Sequence, residues 1–342
     1  MDLTDGTEYT DDAAIEVREA TMGHLPAVAA FTADTWESGD YIPEAFPSWM
    51  QSDDPDTRTF VAVDTTESPP DPETVEGVDP GDVDELAEGR AVGICQAVGL
   101  SEHEGWMQAM RVDPAYRGRR LSRALNDAGF HWLYDTGRRV ARNMVFSWNT
   151  GGLGASRVNG FEPGTEFRWV QPEPDADATA RTDRAGEIEP DPDAAWGFWT
   201  DSATRDALDG LSLDLGESWA MSELTRERLR TAAVDDRLLE VSAPDGGVGG
   251  FAFRARTSEG EGDDGEPQIR AEYGVAAWSD AESCDALLAA IGRDAAAVDA
   301  DTTRVLIPES ATWVSDTALA GAEIGEEPDF VMRADLTERH WE

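Results

Sequence analysis

The stretch from Trp106 to Leu125 constrains this chain most. An apolar strand, Trp106 to Val112, runs through Asp113-Pro114-Ala115-Tyr116 into the turn Arg117-Gly118-Arg119-Arg120 and then directly into a helix at Leu121. Leu121, Leu125, Trp132 and Leu133 fall on or near one face of that helix. The turn concentrates positive charge in a chain of formal net charge −44 that contains no lysine. Between Arg111 and Arg142 stand eight of its 27 basic residues (Arg111, Arg117, Arg119, Arg120, Arg123, Arg138, Arg139 and Arg142), against only Asp113, Asp127 and Asp135. The backbone N–H groups from Gly118 to Ser122 lie at the positive end of the helix dipole, and each charge-assisted bond there contributes about 1.5–3 kcal/mol before entropy losses. Gly118 lets an anion approach the backbone, and Arg117, Arg119 and Arg120 supply attraction. The segment is a candidate site for a phosphorylated small ligand; the bland alternative is a helix start with solvent-facing arginines.

Composition limits the partners. So acidic a surface repels nucleic acid and anionic membrane, and neither is expected as a partner. It fits a chain adapted to concentrated salt, a halophilic source, where the Debye length falls to roughly 3 Å and like charges tolerate one another. Met1-Asp2-Leu3-Thr4-Asp5-Gly6 lacks the basic and apolar regions of a signal peptide, and no apolar run reaches the ~20 residues of a membrane span. Cys95 and Cys284 stand far apart, and His24, His103, His131 and His340 are scattered, so neither disulfide nor metal is expected. A soluble cytoplasmic protein follows.

At 342 residues the length favours two domains. Residues 15–170 read as alternating strands and helices, with a Pro/Asp/Glu/Gly-rich insertion over 65–89 expected to be disordered or loosely held. Residues 171–192 read as a linker. From 193 to 342 the order of elements echoes the first half, with an acidic loop at 257–267 between two strands. Where a phosphate turn would stand, this half carries Trp278-Ser279-Asp280-Ala281-Glu282, so no cofactor is expected there.

Val112-Asp113-Pro114 followed by Arg117-Gly118-Arg119-Arg120-Leu121-Ser122 resembles the acetyl-CoA motif of the GNAT (Gcn5-related) N-acetyltransferases, written Gln/Arg-x-x-Gly-x-Gly/Ala. Asn149 and Gly160-Phe161 match residues that typically end this fold's core, and the element order from Ile15 to Val170 fits. Thr35-Trp36, Gly39-Asp40-Tyr41-Ile42-Pro43, Trp49 and Met110-Arg111-Val112 are similar to the branch that contains histidine N-acetyltransferase. The resemblance implies an α/β GNAT fold with a mixed central sheet, then a second, degenerate GNAT-like lobe. It implies acetyl-CoA as co-substrate, held by Met110, Arg111, Val112, Arg117, Gly118, Arg119, Arg120, Leu121, Ser122, Arg123 and Asn149. Two positions depart from the motif: Arg120 replaces its glycine and Ser122 its final Gly/Ala.

The catalytic groups are less marked. Ser156 stands where many relatives carry a tyrosine acid, and Gln108 where they often carry a glutamate base. Glu102, His103 and Glu104 are candidate groups acting through water, and Tyr41 a candidate acid; a solvated loop is the alternative for the first three. Trp36, Asp40, Tyr41 and Trp49 are candidate acceptor contacts, with Asp40 suited to a cation. Weak base machinery favours an α-amine, about 10% neutral at pH 7, over a lysine amine, well below 1%. The expected activity is acetyl transfer to a primary amine of a small molecule such as an amino acid. A non-catalytic acyl-CoA-binding regulator and a protein N-acetyltransferase are the alternatives, and a homodimer is compatible with all three. Transfer from molar to millimolar salt is expected to lower the melting temperature; circular dichroism during desalting checks this, and an unchanged curve refutes adaptation to salt.

Overall fold

In the computed structural model, residues 14–36, 39–181, 185–243, 246–262 and 266–338 are described. The chain divides into two compact units whose boundaries cross the sequence. The first comprises residues up to Asn143, Gly151–Glu162 and those from Arg333 on; the second comprises Met144–Thr150 and Pro163–Met332.

In the first unit, β1 (Ile15–Glu19), α1 (Leu25–Thr32), α2 (Ile42–Gln51), β2 (Thr57–Asp64), β3 (Arg90–Gly99), β4 (Glu104–Val112), α3 (Leu121–Asp135), β5 (Val140–Phe146, as far as Asn143) and α4 (Thr150–Val158, all but its first residue) follow in order. Strands β1 to β4 pair antiparallel in sequence, and β4 pairs parallel with β5. On one face, Leu25 and Val28 of α1 and Ile42 and Phe46 of α2 bury against Val61, Val63, Ile94 and Ala109. The other face carries α3, which buries Leu121, Ala124, Leu125, Ala128, Trp132 and Leu133 at helical spacing. Glycines set how closely α3 docks: a Cβ at Gly105 would lie 2.6 Å from Leu133, and one at Gly129 would lie 2.4 Å from the Met107 methyl.

The acidic insertion at 65–89 is more ordered than its composition led us to expect. Asp71 and Asp79 each cap a short 3-10 turn, at Pro72–Thr74 and Pro80–Asp82, by accepting an N–H two residues on. Val78 and Val83 pack on the α1–α2 core, and Ala87 donates its N–H to the Gly23 carbonyl. A few apolar anchors and self-capped turns suffice where overall hydrophobicity is low.

The second unit repeats this plan. It contains β6 (Glu162–Gln171, all but its first residue), β7 (Glu187–Ile188), α5 (Pro192–Asp201), α6 (Ala203–Ala207), the small hairpin β8 (Leu211–Leu213) and β9 (Met221–Glu223), and α7 (Arg226–Val234). After these come β10 (Leu238–Ser242), β11 (Val248–Glu261), β12 (Pro267–Trp278), α8 (Ala281–Ala297), β13 (Thr302–Pro308), α9 (Ala311–Ala320), β14 (Glu323–Ile324) and most of β15 (Asp329–Asp335). The strand order is β7-β10-β11-β12-β13-β6, with the one parallel step between β12 and β13. That step again follows an antiparallel run and is bridged by a long helix, α8.

Three sequence expectations change here. The acidic loop expected at 257–267 is mostly strand, because the β11–β12 ladder continues through Ser258↔Arg270 to Glu261↔Pro267. The linker expected at 171–192 is held to its own unit: Asp175 donates its N–H to the Gly292 carbonyl, and Glu187–Ile188 pairs with β10. The contiguous division into 15–170 and 193–342 gives way to an exchange. Strand β6 pairs with β13 from Phe167 to Val170, whereas Leu336 donates its N–H to the Arg139 carbonyl of the first unit.

Glu240 on β10 is 1% exposed; its Oε1 accepts the Asp191 N–H at 2.8 Å, and its Oε2 is buried without a partner. Burial pushes its carboxyl from 4.5 up to about 7. The folded state therefore holds this proton more tightly than the unfolded chain. The associated stability is full below the unfolded value and is lost as pH rises through about 7. Glu240→Gln is expected to stabilise the fold by about 1–3 kcal/mol at pH 8 and by almost nothing at pH 4, read by denaturant unfolding at the two pH values.

Candidate functional site

The site is built on β4 and its exit. Parallel pairing of β4 with β5 covers only Glu104–Trp106 against Val140–Arg142. From Met107 onward, the pairing described for β4 is with β3 alone. Register slips between Ile94 and Gln96 place Ala109 in a bulge with φ +55°, a left-handed conformation unusual for a residue with a Cβ. Past the bulge, Asp113 donates its N–H to the Val92 carbonyl on β3. By ladder alternation, the N–H of Val112 points to the opposite side, the one that β5 has left. A β4 edge diverging from β5 can take an extended, amide-bearing ligand as a further strand.

Asp113 fixes the exit. One oxygen caps the following 3-10 turn by accepting the Ala115 N–H (2.9 Å), and the other takes Arg90 (3.1 Å). Tyr116 is buried, its hydroxyl donating to Asp64 at 2.9 Å, and Arg119 lies over its ring at 4.6 Å. Burial, then this bond to Asp64, pushes the Tyr116 hydroxyl up to about 12. Although burial opposes it, hydrogen bonds from Thr66 and Tyr116 and the Arg119 charge hold the Asp64 carboxyl below its ordinary range. Arg117, Gly118, Arg119 and Arg120 are all exposed. Gly118 (φ +83°) has nothing within 4 Å of where a Cβ would sit. Arg120 takes the N-cap of α3 with φ +61°, so it adopts the left-handed turn that the motif's glycine would adopt. Leu121 is buried beneath the turn and Ser122 is half-buried. Arg123 reaches Asp127 at 3.5 Å. In the second unit the matching helix start is capped by Asp280, whose carboxylate accepts the Ser283 N–H, leaving negative charge at that helix end.

Other expected site residues are placed differently. Glu104 is buried, with one oxygen 2.6 Å from Arg142 and the other accepting from Ser101 at 3.1 Å. Glu102 is exposed in the preceding turn. Glu104 opens β4 at the end opposite Val112, roughly 25 Å away at about 3.3 Å per residue, and Glu102 stands in the turn before it. Neither is placed to serve the exit of β4 as a base. Asp40 is paired with Arg111 at 2.6 Å, so its carboxylate is already matched to a cation from within the chain. The Arg111 guanidinium correspondingly faces Asp40 and lies 5.4 Å over Trp36. Tyr41 is half-exposed, and its ring meets Trp49 edge-on at 6.2 Å. Asn149 falls in Met144–Thr150, grouped with the second unit, and donates its N–H to the Phe146 carbonyl.

Sequence reasoning missed a polar chain across the sheet: Gln108 donates to Gln96 (2.8 Å), which donates to Thr59 (3.0 Å). Alternating polar positions on adjacent strands were its only signal. Ser156 is buried and accepts from Asn143 at 3.1 Å, and Phe161 packs edge-on against Phe130 of α3 at 5.2 Å. Among the described residues no cluster of His, Cys, Asp or Glu could hold a metal, and no helix is long and apolar enough to cross a membrane.

No protein-family model matches the chain, and no curated protein is similar in sequence. Solved structures are similar in fold. A GCN5-related N-acetyltransferase from Sphaerobacter thermophilus aligns with a TM-score of 0.56 at 13% identity, over 95% of this chain and 96% of that one. A tandem GNAT protein from the clavulanic acid biosynthesis pathway aligns with a TM-score of 0.49 at 13% identity, over 94% and 98%. The full-length match to the first, with the repeated strand order, gives the architecture: a GNAT fold followed by a second GNAT-like lobe.

Replacing Glu104 by Gln leaves the buried Arg142 guanidinium without its counter-charge. It is expected to cost about 3–5 kcal/mol of stability, which thermal unfolding checks.

Proposed function

We propose that the chain is an acetyl-CoA-dependent N-acetyltransferase acting on a primary amine of a small molecule such as an amino acid. The observation that carries this reading is the combination at one end of β4. The strand parts from β5 after Trp106, bulges at Ala109, and delivers the chain to an exposed arginine turn that opens α3. The turn supplies Arg117, Arg119, Arg120 and Arg123, with the N–H groups of Gly118, Leu121 and Ser122, to the diphosphate. Met110 and Val112 supply backbone partners to the pantetheine arm, and one such N–H polarises the thioester carbonyl. Asn149 enters on the resemblance alone.

The amine nitrogen bonds to the thioester carbon, the tetrahedral intermediate collapses with cleavage of the carbon–sulfur bond, and the amine proton leaves to solvent as the thiolate takes one. With Glu102 and Glu104 remote from the reacting end of β4, an acceptor that arrives neutral is favoured, and proximity contributes most of the rate. Trp36, Tyr41 and Trp49 form the acceptor wall, with Tyr41 the exposed hydroxyl that can donate to the departing sulfur. We place the protein in the cytoplasm of a cell with concentrated internal salt, on its charge alone.

A non-catalytic acyl-CoA sensor is the second reading. Ser156, bound to Asn143 where a tyrosine acid would stand, favours it. Thiol release with a panel of amines in molar KCl separates the two, since a sensor binds acetyl-CoA and releases no CoA; peptide acceptors in the panel test a protein substrate. Arg117→Glu with Arg119→Glu is expected to abolish acetyl-CoA binding by calorimetry, and retained turnover in that double variant overturns the assignment of the turn.

A further inference from the structure

We infer that the Asp40–Arg111 ion pair is a positioning device that ties the acceptor-binding loop to the thioester-binding strand and so sets acceptor affinity and turnover. This rests on the acetyltransferase reading above. Arg111 follows Met110 on β4, just past the bulge, and its Nη1 donates to the Met110 carbonyl at 3.1 Å. Its Nε donates to Asp40 Oδ2 at 2.6 Å and its Nη2 to Oδ1 at 3.5 Å, while the guanidinium plane lies 5.4 Å from the Trp36 ring centre. Asp40 Oδ1 also accepts the N–H of Ile42, the first residue of α2 (3.1 Å), and Tyr41 is the N-cap of that helix. One carboxylate therefore holds the strand at Met110 and the start of the helix that presents Tyr41 and Trp49.

The geometry suits this task. The Asp40 side chain is 0% exposed and that of Arg111 only 17%. A forked guanidinium fixes both the distance and the angle of a carboxylate; an ammonium fixes distance only. With Asp40 matched from within, this carboxylate is committed to Arg111 rather than to an incoming ammonium. A salt bridge that merely stabilised the fold would change how much protein is folded and leave the steady-state constants of the folded fraction as they were.

The test uses the full chain in molar KCl, with the best amine of the panel as acceptor. Acetyl-CoA affinity, acceptor KM and kcat are measured for wild type, Arg111→Lys, Asp40→Asn, Arg111→Gln and the double variant Asp40→Asn with Arg111→Gln. Arg111→Lys keeps the charge and loses the fork. It is expected to raise acceptor KM about tenfold and lower kcat, with acetyl-CoA affinity within about twofold of wild type. The double variant, which can restore a neutral hydrogen-bonded pair, is expected to recover most of the kcat/KM lost in Asp40→Asn. Wild-type constants in a folded Arg111→Lys, or losses in the double variant equal to the product of the separate losses, overturn the proposal alone. A wild-type chain that binds no acetyl-CoA overturns the acetyltransferase reading and this proposal with it.

Discussion

The first unit depends on the way β4 parts from β5. A strand inside a sheet normally satisfies its backbone on both sides, because an unpaired buried amide is costly. Here the parallel ladder stops at Trp106, and the Ala109 bulge and the Asp113-capped turn carry the strand onward with β3 as its described neighbour. The docking of α3 makes this divergence affordable. Leu133 fills the space left by Gly105, and Met107 fills that left by Gly129, so β4 is held from its face rather than from its edge. The same contacts fix where α3 begins and hence where the arginine turn stands. Edge, turn and helix end are thus consequences of one packing arrangement.

Charge is distributed by the same logic. The eight arginines between 111 and 142 read as a single knot, and the fold separates them by task. Arg138 reaches Asp56 and Arg142 reaches Glu104 at the start of β4, while Arg111 is taken by Asp40. Arg117, Arg119 and Arg120 stay at the surface of the turn. Density along the sequence therefore overstated how many of these guanidinium groups stand together: those left exposed are at the start of α3. A parallel strand–helix–strand unit brings the end of its helix back beside the start of its first strand, and this alone divides a contiguous run of arginines between opposite ends of β4.

Much of the fold was legible because periodicity is local. The buried face of α3, the strands at 57–64, 90–99 and 104–112, and the Asp-Pro exit all follow from spacing and turn chemistry within a few residues. Strand exchange was not legible, since Phe167 to Val170 has the same alternation whether it completes one sheet or another. The outer end of the β11–β12 hairpin was hidden for a different reason. Ser258, Glu259 and Glu261 are poor strand formers, and they extend the ladder because Arg270, Ile269 and Pro267 already stand opposite. In the site, residue type identified Asp40 and Glu104 as chemically capable, but only three dimensions showed that Arg111 and Arg142 had already claimed them.

The absence of lysine joins these observations. In concentrated salt a charge is felt only within roughly 3 Å, so an ammonium acting at a distance loses most of its value. A guanidinium keeps it, because it works by contact, through forked hydrogen bonds and through stacking on aromatic faces. The structure uses arginine in this manner: Arg111 on Trp36, Arg119 on Tyr116, Arg139 on Tyr134, and Arg304 between Trp169 and Trp219 while paired with Glu272. The same reasoning bears on Arg120. A glycine at the N-cap of α3 would avoid the left-handed strain and leave the turn with one guanidinium fewer. A guanidinium there adds a contact that salt screens least, at a conformational cost of about 1 kcal/mol.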